Sequence, residues 1–256
     1  MLTKTEAIVL HSLKYGESKM IVDMFTRQHG RLSFVVGLPK TARSRLKKQY
    51  FQPFTLLTIE CDVRPRLQLQ KLADASILAP LPTLLGDPSK LAISLFLSEF
   101  LYYALRGEQQ NEPLFDYLVS SIEWLDGQTS GYANFHLAFL MHVSRFLGFY
   151  PNLDEGSQGS TEEGRRRGTR VRPTDYFDLR AATFCAAPPL HRDFLMPEEA
   201  AMLRLMMRMD YATMHLFRMN RTQRNRCIEV ALLFYRLHLP DFPELRSLDV
   251  LRELWA

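Results

Sequence analysis

The fold is decided by residues 5–37, which read TEAIVLHSLKYGESKMIVDMFTRQHGRLSFVVG. Three short runs in this stretch are rich in β-branched and aromatic residues. They lie at 7–10, 20–25 and 32–36, with turn-like segments at 15–18 and 27–30 between them. Runs of this length, bounded by glycine and polar residues, predict three strands joined by tight turns.

Two more strand-like runs follow, at residues 53–63 and 67–78. The first of them changes its apolar phase between Leu56 and Leu57, which predicts a β-bulge at that point. Five short strands with no long helical pattern among them predict a small closed barrel over residues 1–80, and an OB-fold is one candidate. Periodicity alone leaves other small barrels open.

The pattern becomes helical after the segment Pro80-Leu81-Pro82. Asp87 and Pro88 predict a helix start, because an aspartate caps the first turn and a proline fits the first helical position. Further helices are predicted at about 113–125, 132–146, 197–209 and 222–239, and after Ser247. We therefore predict an α+β protein: an N-terminal OB-fold β-barrel followed by an all-helical C-terminal domain at residues 83–256, with a mobile loop and a short hairpin inserted at about 152–192.

Basic residues are concentrated in the predicted barrel. Residues 1–80 hold 13 Lys and Arg against 6 Asp and Glu, whereas residues 81–150 hold 3 against 7. Charge separated in this way favours an anionic partner for the barrel, with chance unevenness of a solvated surface as the alternative. Three scattered cysteines, Cys61, Cys185 and Cys227, favour a reducing compartment over a disulfide framework. The amino terminus lacks a signal-peptide pattern and no apolar stretch reaches membrane-helix length, so we expect a cytoplasmic protein.

An ordered set of short motifs carries a resemblance to a known family. In chain order the motifs are Ala7-Ile8-Val9-Leu10, Tyr15-Gly16-Glu17-Ser18, Phe25-Thr26-Arg27, His29-Gly30-Arg31, Ser44-Arg45-Leu46, Gln52-Pro53-Phe54, Tyr235-Arg236-Leu237-His238 and Leu245-Arg246-Ser247-Leu248. Their order and spacing resemble those of the RecO proteins, bacterial mediators of recombination. The resemblance is strongest over residues 5–60, and it depends on the whole set rather than on any single motif.

The resemblance implies an N-terminal OB-fold, a helical C-terminal domain and a role in recombinational repair of DNA damage. RecO proteins bind single-stranded and double-stranded DNA and anneal complementary strands. They cooperate with RecR and with the single-strand-binding protein to load RecA. The resemblance therefore implies DNA, RecR and the C-terminal tail of the single-strand-binding protein as partners, RecA as an indirect partner, and association with the nucleoid.

The chain departs from the family at one point. Many relatives hold zinc with two pairs of cysteines after the segment Gly148-Phe149-Tyr150-Pro151, but here residues 152–172 contain neither cysteine nor histidine. Cys185 and His191 supply at most two of the roughly four nitrogen or sulfur ligands that tetrahedral zinc needs. We therefore predict no structural zinc and no other cofactor.

The segment at residues 40–48 is the first candidate for DNA contact. It holds five basic residues and no acidic one between two predicted strands, and phosphates attract such loops. Tyr50 and Phe51 follow it, and they either stack on bases or belong to the core. Because an OB-fold gathers its loops along one groove, basic residues of the other turns join the predicted DNA-binding set. The set comprises Lys14, Arg27, Arg31, Lys40, Arg43, Arg45, Lys47, Lys48, Arg64 and Arg66.

A second basic group surrounds the start of a predicted helix. It consists of Arg218, Arg221, Arg224 and Arg226. These arginines form either a second DNA patch or the rim of an apolar pocket for the acidic, aromatic-ended tail of the single-strand-binding protein, or else are ordinary surface charges. A further basic run, Arg165-Arg166-Arg167 with Arg170 and Arg172, either touches phosphates or belongs to a solvated linker.

No pattern in the sequence predicts catalysis. Gly-rich phosphate loops, paired metal-binding acids and activated nucleophiles are missing, and His136 and His142 are six residues apart on a predicted helix, which places them on different faces. We therefore expect a DNA-binding, strand-annealing mediator that is not an enzyme. Two alternatives remain: an adaptor whose basic barrel binds an acidic protein, and a metal-dependent nuclease on an unrecognised scaffold.

Overall fold

The N-terminal part of the chain is a closed five-stranded barrel. A computed structural model describes residues 2–37, 46–152 and 174–253. The strands follow one another around the barrel in the order β1-β2-β3-β5-β4, with β3 and β5 parallel and the other pairs antiparallel. Their bounds are β1 (Leu2–Tyr15), β2 (Lys19–Thr26), β3 (Gly30–Gly37), β4 (Leu56–Asp62) and β5 (Leu69–Ile77). This architecture confirms the predicted OB-like barrel and its five strands.

Burial of both faces of β4 explains the change of apolar phase in its sequence. Leu56 pairs with Ile8 and Leu57 pairs with Ala7 without any shift, so the bulge predicted between Leu56 and Leu57 is wrong. Leu57 belongs to the core inside the barrel, and Leu56, which the alternation of a strand directs to the other face, is equally buried. Register shifts occur instead between Val9 and His11 in β1 and between Glu60 and Cys61 in β4.

Three helices belong to the same compact unit as the barrel, which comprises Met1–Thr129 and Pro243–Ala256. They are α1 (Pro88–Ala104), α2 (Glu112–Gly127) and the later α6 (Leu248–Glu253). The predicted start of α1 is confirmed, because an Asp87 carboxylate oxygen accepts hydrogen bonds from the Ser89 and Lys90 amides at 2.8 and 3.3 Å. The Ser98 hydroxyl donates to the Leu10 carbonyl at 2.6 Å, which fixes α1 on β1.

The second compact unit, Ser130–Phe242, combines helices with a small sheet. The predicted hairpin is present as β6 (Tyr176–Asp178) and β7 (Thr183–Cys185), and a third strand, β8 (Phe194–Leu195), pairs with β6. The remaining elements are α3 (Phe135–Phe146), α4 (Pro197–Met207), a short 3-10 helix (Met214–Leu216) and α5 (Arg221–His238). Across the described part of the chain, no helix is both long and apolar enough to cross a membrane.

The two compact units divide the chain differently from the predicted domains. The change from strands to helices lies between residues 80 and 88, close to the predicted boundary at 80–83. The contacts, however, group α1, α2 and α6 with the barrel and separate the units near residue 130. The division into a nucleic-acid-binding domain at residues 1–80 and a helical domain at 83–256 stays a prediction.

Gly30 joins the barrel to the loop between α1 and α2. Its φ is +67°, and a Cβ atom built on it would lie 2.4 Å from the Glu108 carbonyl oxygen and 2.5 Å from the Gln109 carbonyl carbon. We expect Gly30→Ala to lower the free energy of unfolding by about 3 kcal/mol, because left-handed strain adds to a clash with backbone that cannot rotate away. Urea denaturation followed by circular dichroism measures this loss.

Gly16→Ala is the matched control for that variant. Gly16 also has a positive φ, +69°, but nothing lies within 4 Å of its added Cβ. Only the conformational cost of about 1 kcal/mol is expected there. If both variants lowered the free energy of unfolding equally, the clash with the α1–α2 loop would contribute nothing to the loss in Gly30→Ala.

Candidate nucleic-acid interface

A groove of about 610 Å³ opens on the barrel surface beside the β4–β5 loop. Its basic lining consists of Lys19 at the start of β2, Arg64 in the β4–β5 loop and Lys71 in β5. Leu67 and Leu69 add two exposed apolar side chains to the same groove. The groove therefore combines positive charge with apolar surface, the two properties that backbone and base contacts with DNA require.

Strand pairing brings these cationic residues together. Lys19 pairs with Gly37 at one end of the β2–β3 hairpin, and Lys71 lies between Asp62 on β4 and Val35 on β3. Both lysine side chains are exposed. Asp62 accepts a hydrogen bond from Arg64 Nε at 2.9 Å. Among the described residues that line the groove, Asp62 is the only acidic one against three basic ones, which leaves an excess of two positive charges.

Gln70 shapes the β4–β5 loop from within. Its side chain is buried, and its Oε1 atom accepts a hydrogen bond from the Arg64 amide at 2.8 Å. Its Nε2 atom donates to the carbonyls of Arg64 at 3.1 Å and Leu67 at 2.6 Å. A side chain that satisfies three backbone groups holds a short loop in one shape, so Arg64 and Leu67 are presented on a fixed backbone.

Several residues of the predicted DNA-binding set lie near this groove or on the barrel surface. Lys14 is exposed at the end of β1, next to the pair formed by Tyr15 and Lys19, and Arg66 is exposed in the β4–β5 loop. Lys47 and Lys48 are exposed at the start of a 3-10 helix, Lys48–Phe51. The predicted contacts Lys40, Arg43 and Arg45 lie outside the described residues, as do Arg165, Arg166, Arg167, Arg170 and Arg172.

Arg27 belongs to the predicted set but is engaged inside the protein. Its Nε atom donates to Glu6 at 2.8 Å, and its NH1 atom lies 2.7 Å from the Asp116 carboxylate. The guanidinium carbon also lies 4.7 Å from the centre of the Phe115 ring. These contacts tie the barrel to α2 at the Gly30 end of the β2–β3 hairpin, away from Lys19. We therefore leave Arg27 out of the candidate groove.

Arg31 is engaged in the same region. Its side chain is only 12% exposed, forms an ion pair with Asp23 at 3.3 Å and lies 4.5 Å from the centre of the Tyr102 ring on α1. Burial favours a raised pKa of Asp23, but the nearby His11 ring, a hydrogen bond from Ser33 and the charge of Arg31 outweigh it and lower that pKa. Arg31 thus stabilises a buried carboxylate and is likewise left out of the candidate groove.

The two aromatic residues after the basic segment have different environments. Phe51 is 1% exposed and belongs to the barrel core, so the interpretation of Phe51 as a base-stacking residue is wrong. Tyr50 is half-buried at the edge of the same core. Its ring centre lies 5.9 Å from Lys47 Nζ. Tyr50 therefore presents ring surface beside positive charge.

The four arginines of the second predicted patch have different environments. Arg224 is 8% exposed, and its guanidinium donates to the Asn134 side chain at 3.1 Å and to the Met219 carbonyl at 3.0 Å. Arg226 is paired with Glu199 and Glu229. Arg218 and Arg221 are exposed. Arg224 is therefore a buried structural residue, and the role of the exposed arginines stays a prediction.

A small pocket lies close to Arg218 along the chain. It measures about 330 Å³ and is lined by Arg208, Asp210, Thr213, Leu216 and Phe217. None of the four predicted arginines lines this pocket, which combines Arg208 and Asp210 with two apolar side chains, so the predicted peptide site stays a prediction. The pocket and the arginines belong to the same compact unit.

The potential zinc ligands of the second unit are engaged elsewhere or isolated. His191 Nε2 lies 3.2 Å from Asp178, and Cys185 pairs with Tyr176 across the small sheet. Burial, followed by the charges of Asp178 and Asp175, raises the pKa of the Cys185 thiol, which disfavours the thiolate that zinc binds. Within the described ranges, no group of three or more His, Cys, Asp and Glu residues is arranged to hold a metal ion. These residues do not fit a zinc site.

Sequence reasoning missed Lys19, Lys71 and Gln70. Lys19 directly follows the first predicted turn, so the OB-fold expectation already placed it beside the other loop residues. Lys71 belongs to a strand rather than a loop, and only the parallel pairing of β3 and β5 brings it to the groove. Gln70 carries no sequence signal, because its role depends on the path of the loop that it closes.

Comparison with known proteins agrees with the geometry. A family model described as Recombination protein O N terminal matches residues 1–81, and one described as Recombination protein O C terminal matches residues 85–249. Proteins named DNA repair protein RecO are similar to the chain over its whole length and theirs, with 48% identity in Phocaeicola vulgatus and 49% in Bacteroides fragilis. A protein of that name from Christiangramia forsetii is 32% identical, again over both full chains. With an OB-like barrel, a helical C-terminal region and both family models matched, the chain belongs to the RecO family of DNA repair proteins.

Proposed function

We propose that the protein binds single-stranded DNA along the groove of its barrel and acts as a mediator of recombinational repair. The observation that carries this proposal is the groove itself, where Lys19, Arg64 and Lys71 meet the exposed Leu67 and Leu69 on an OB-like barrel. Lysine and arginine bind phosphates with release of counterions, while apolar side chains accept sugar and base surfaces. Neither kind of contact reads the base sequence, so this binding should not depend on sequence.

Strand annealing follows from the same electrostatics. Two complementary strands repel each other through their phosphates, and a basic surface that neutralises part of both backbones lowers that repulsion. Lys47 and Lys48, with Lys14 and Arg66, supply further exposed positive charge on the barrel. No covalent bond is made or broken in this process, which agrees with a mediator that is not an enzyme.

The second unit is proposed to bind protein partners. The pocket lined by Arg208, Leu216 and Phe217 suits a peptide that ends in an aromatic residue and carries carboxylates, such as the tail of the single-strand-binding protein. Arg218 and Arg221 add positive charge nearby in the chain. With RecR, this contact would place the barrel on strands that RecA is to occupy.

A salt series tests the DNA-binding proposal. We expect fluorescence anisotropy with a labelled oligothymidylate to show binding that weakens steeply with salt, with a slope of log affinity against log salt of about −0.7 for each phosphate contacted. Failure to bind at low salt would overturn the proposal and leave the adaptor, whose basic barrel meets an acidic protein. Cleavage of the strand in added magnesium or manganese would establish the nuclease alternative instead.

A further inference from the structure

A second opening of about 440 Å³ lies on the barrel at the other end of β5. Its walls come from the short 3-10 helix Lys48–Phe51, the segment that enters β4, the end of β5 and the segment before α1. Ile77 and Leu85 line it and are 42% and 51% exposed. Its volume lies within the range of about 300–1,000 Å³ that small-ligand sites occupy. Here it is called the β5 pocket.

Aromatic rings, side-chain amides and nearby lysines surround the β5 pocket. Tyr50 and the buried Phe54 contribute aromatic rings to the described lining, and the side chains of Gln49 and Gln52, both exposed residues, contribute amides. Each amide offers both a donor and an acceptor. Lys47 Nζ lies 5.9 Å from the centre of the Tyr50 ring, and Lys48 is exposed one residue further along. Positive charge therefore adjoins an apolar slot with hydrogen-bonding groups of both kinds.

We infer that the β5 pocket accepts an unstacked base of single-stranded DNA. Tyr50 and the aliphatic side chains would contact the two faces of the base, the glutamines its edge, and Lys47 and Lys48 the adjoining phosphates. This inference rests on the proposed function and deepens it, because a base must leave the duplex to enter a pocket. The β5 pocket thus gives the protein a preference for single strands over duplex DNA.

A peptide fits this surface less well. Strand addition needs an open sheet edge, and the barrel is closed. An amphipathic helix needs an extended groove with anchor sites at helical spacing, whereas the β5 pocket is a single slot with two amides in its lining. The charge beside it is positive, as a phosphate backbone requires.

The β5 pocket and the candidate groove are separate sites at two positions along β5. Lys71 lines the groove and Ile77 lines the pocket, so about 20 Å of β5 lies between them at 3.3 Å per residue. A single DNA strand that occupies both sites makes phosphate-backbone contacts at the groove and a base contact at the pocket. The two contributions can therefore be removed one at a time.

Two twelve-nucleotide probes of equal charge test the inference: oligothymidylate and an abasic strand with the same phosphates and no bases. We expect the full-length protein to bind oligothymidylate about tenfold more tightly than the abasic strand, since stacking of one base contributes roughly that factor. Leu85→Asp should remove this preference while leaving the affinity for the abasic strand within about twofold. Leu95→Asp, at an exposed leucine of α1 outside the pocket, is the matched control and should keep the preference.

The possible outcomes distinguish failure of the base pocket from failure of the proposed function. Equal affinity of the unsubstituted protein for both probes overturns the base pocket and leaves DNA binding at the groove intact. Loss of affinity for both probes in Leu85→Asp also overturns it, because the effect is then general repulsion. A labelled acidic peptide ending in phenylalanine gives a third outcome. If it binds the unsubstituted protein but not Leu85→Asp, and Leu85→Asp keeps the base preference, the pocket binds protein and the inference is overturned. No binding to either probe overturns the proposed function and the inference together.

Discussion

We expect the double substitution Lys19→Glu with Lys71→Glu to lower the affinity for single-stranded DNA about 100-fold at near-physiological salt. Both lysines are exposed and line the groove. Under the proposed function, two phosphate contacts would be lost and two repulsive charges would replace them. The slope of log affinity against log salt should fall in magnitude by about 1.4, or about 0.7 for each lost contact with a single strand. Anisotropy with a labelled oligothymidylate across a salt series measures both quantities.

Arg106→Glu is the matched control for this charge change. Arg106 is exposed, belongs to the same compact unit and lies in the loop that contacts Gly30, at the other end of the β2–β3 hairpin from Lys19. The eight residues of β2 separate the two ends by about 25 Å, more than two Debye lengths at physiological salt. Arg106→Glu, a single charge reversal, should change the affinity for single-stranded DNA less than threefold. Comparable losses in both variants would mean that net charge, not the groove, governs binding.

The barrel was predictable because its signal is local. Each strand between residues 2 and 37 carries its own β-branched residues and ends at a turn, and the structure places β1, β2 and β3 where these runs lie. The order in which five strands close is not local, since it depends on a parallel contact between β3 and β5. The OB-like order therefore came from the family resemblance, and the structure confirms it.

The candidate groove was only partly predictable for the same reason. A basic residue in a turn looks identical in sequence whether it faces solvent or a carboxylate from a distant helix. Arg27 lies 89 residues before its partner Asp116, and Arg31 stacks on Tyr102 from a helix that begins at Pro88. Lys71 shows the converse, because a strand residue becomes part of the groove through pairing alone. Long-range contacts therefore decide which basic side chains stay exposed on the barrel.

Helix faces show a related limit. The sequence of α1 contains leucines and aromatic residues on more than one stripe, so periodicity alone does not show which of them are buried. In the structure Leu95 is exposed, whereas Phe96, Leu97 and Phe100 are fully buried. A helix that packs on a barrel strand and on another helix buries two faces, so a single apolar stripe does not describe it.

Acidification from about pH 8 to about pH 5 should destabilise the second unit by about 2 kcal/mol through His136 alone. His136 is fully buried in α3, and burial, followed by the charge of Arg224, lowers its pKa from 6.5 to about 3. The unfolded chain keeps the ordinary pKa near 6.5, so below that pH the unfolded state binds a proton that the folded state does not. The stability conferred by the neutral ring is complete above pH 6.5 and is lost progressively as the pH falls toward about 3.

His136→Leu should remove most of this pH dependence, which urea denaturation at the two pH values measures through far-ultraviolet circular dichroism. A smaller slope of the same sign should persist, because burial, with the charge of Arg145, also lowers the pKa of His142. His215→Gln is the control, since His215 is exposed in the same unit and its loss should leave the slope unchanged. The linkage argument fails if His136→Leu loses as much stability on acidification as the unsubstituted protein, because the buried ring would then take up its proton without unfolding.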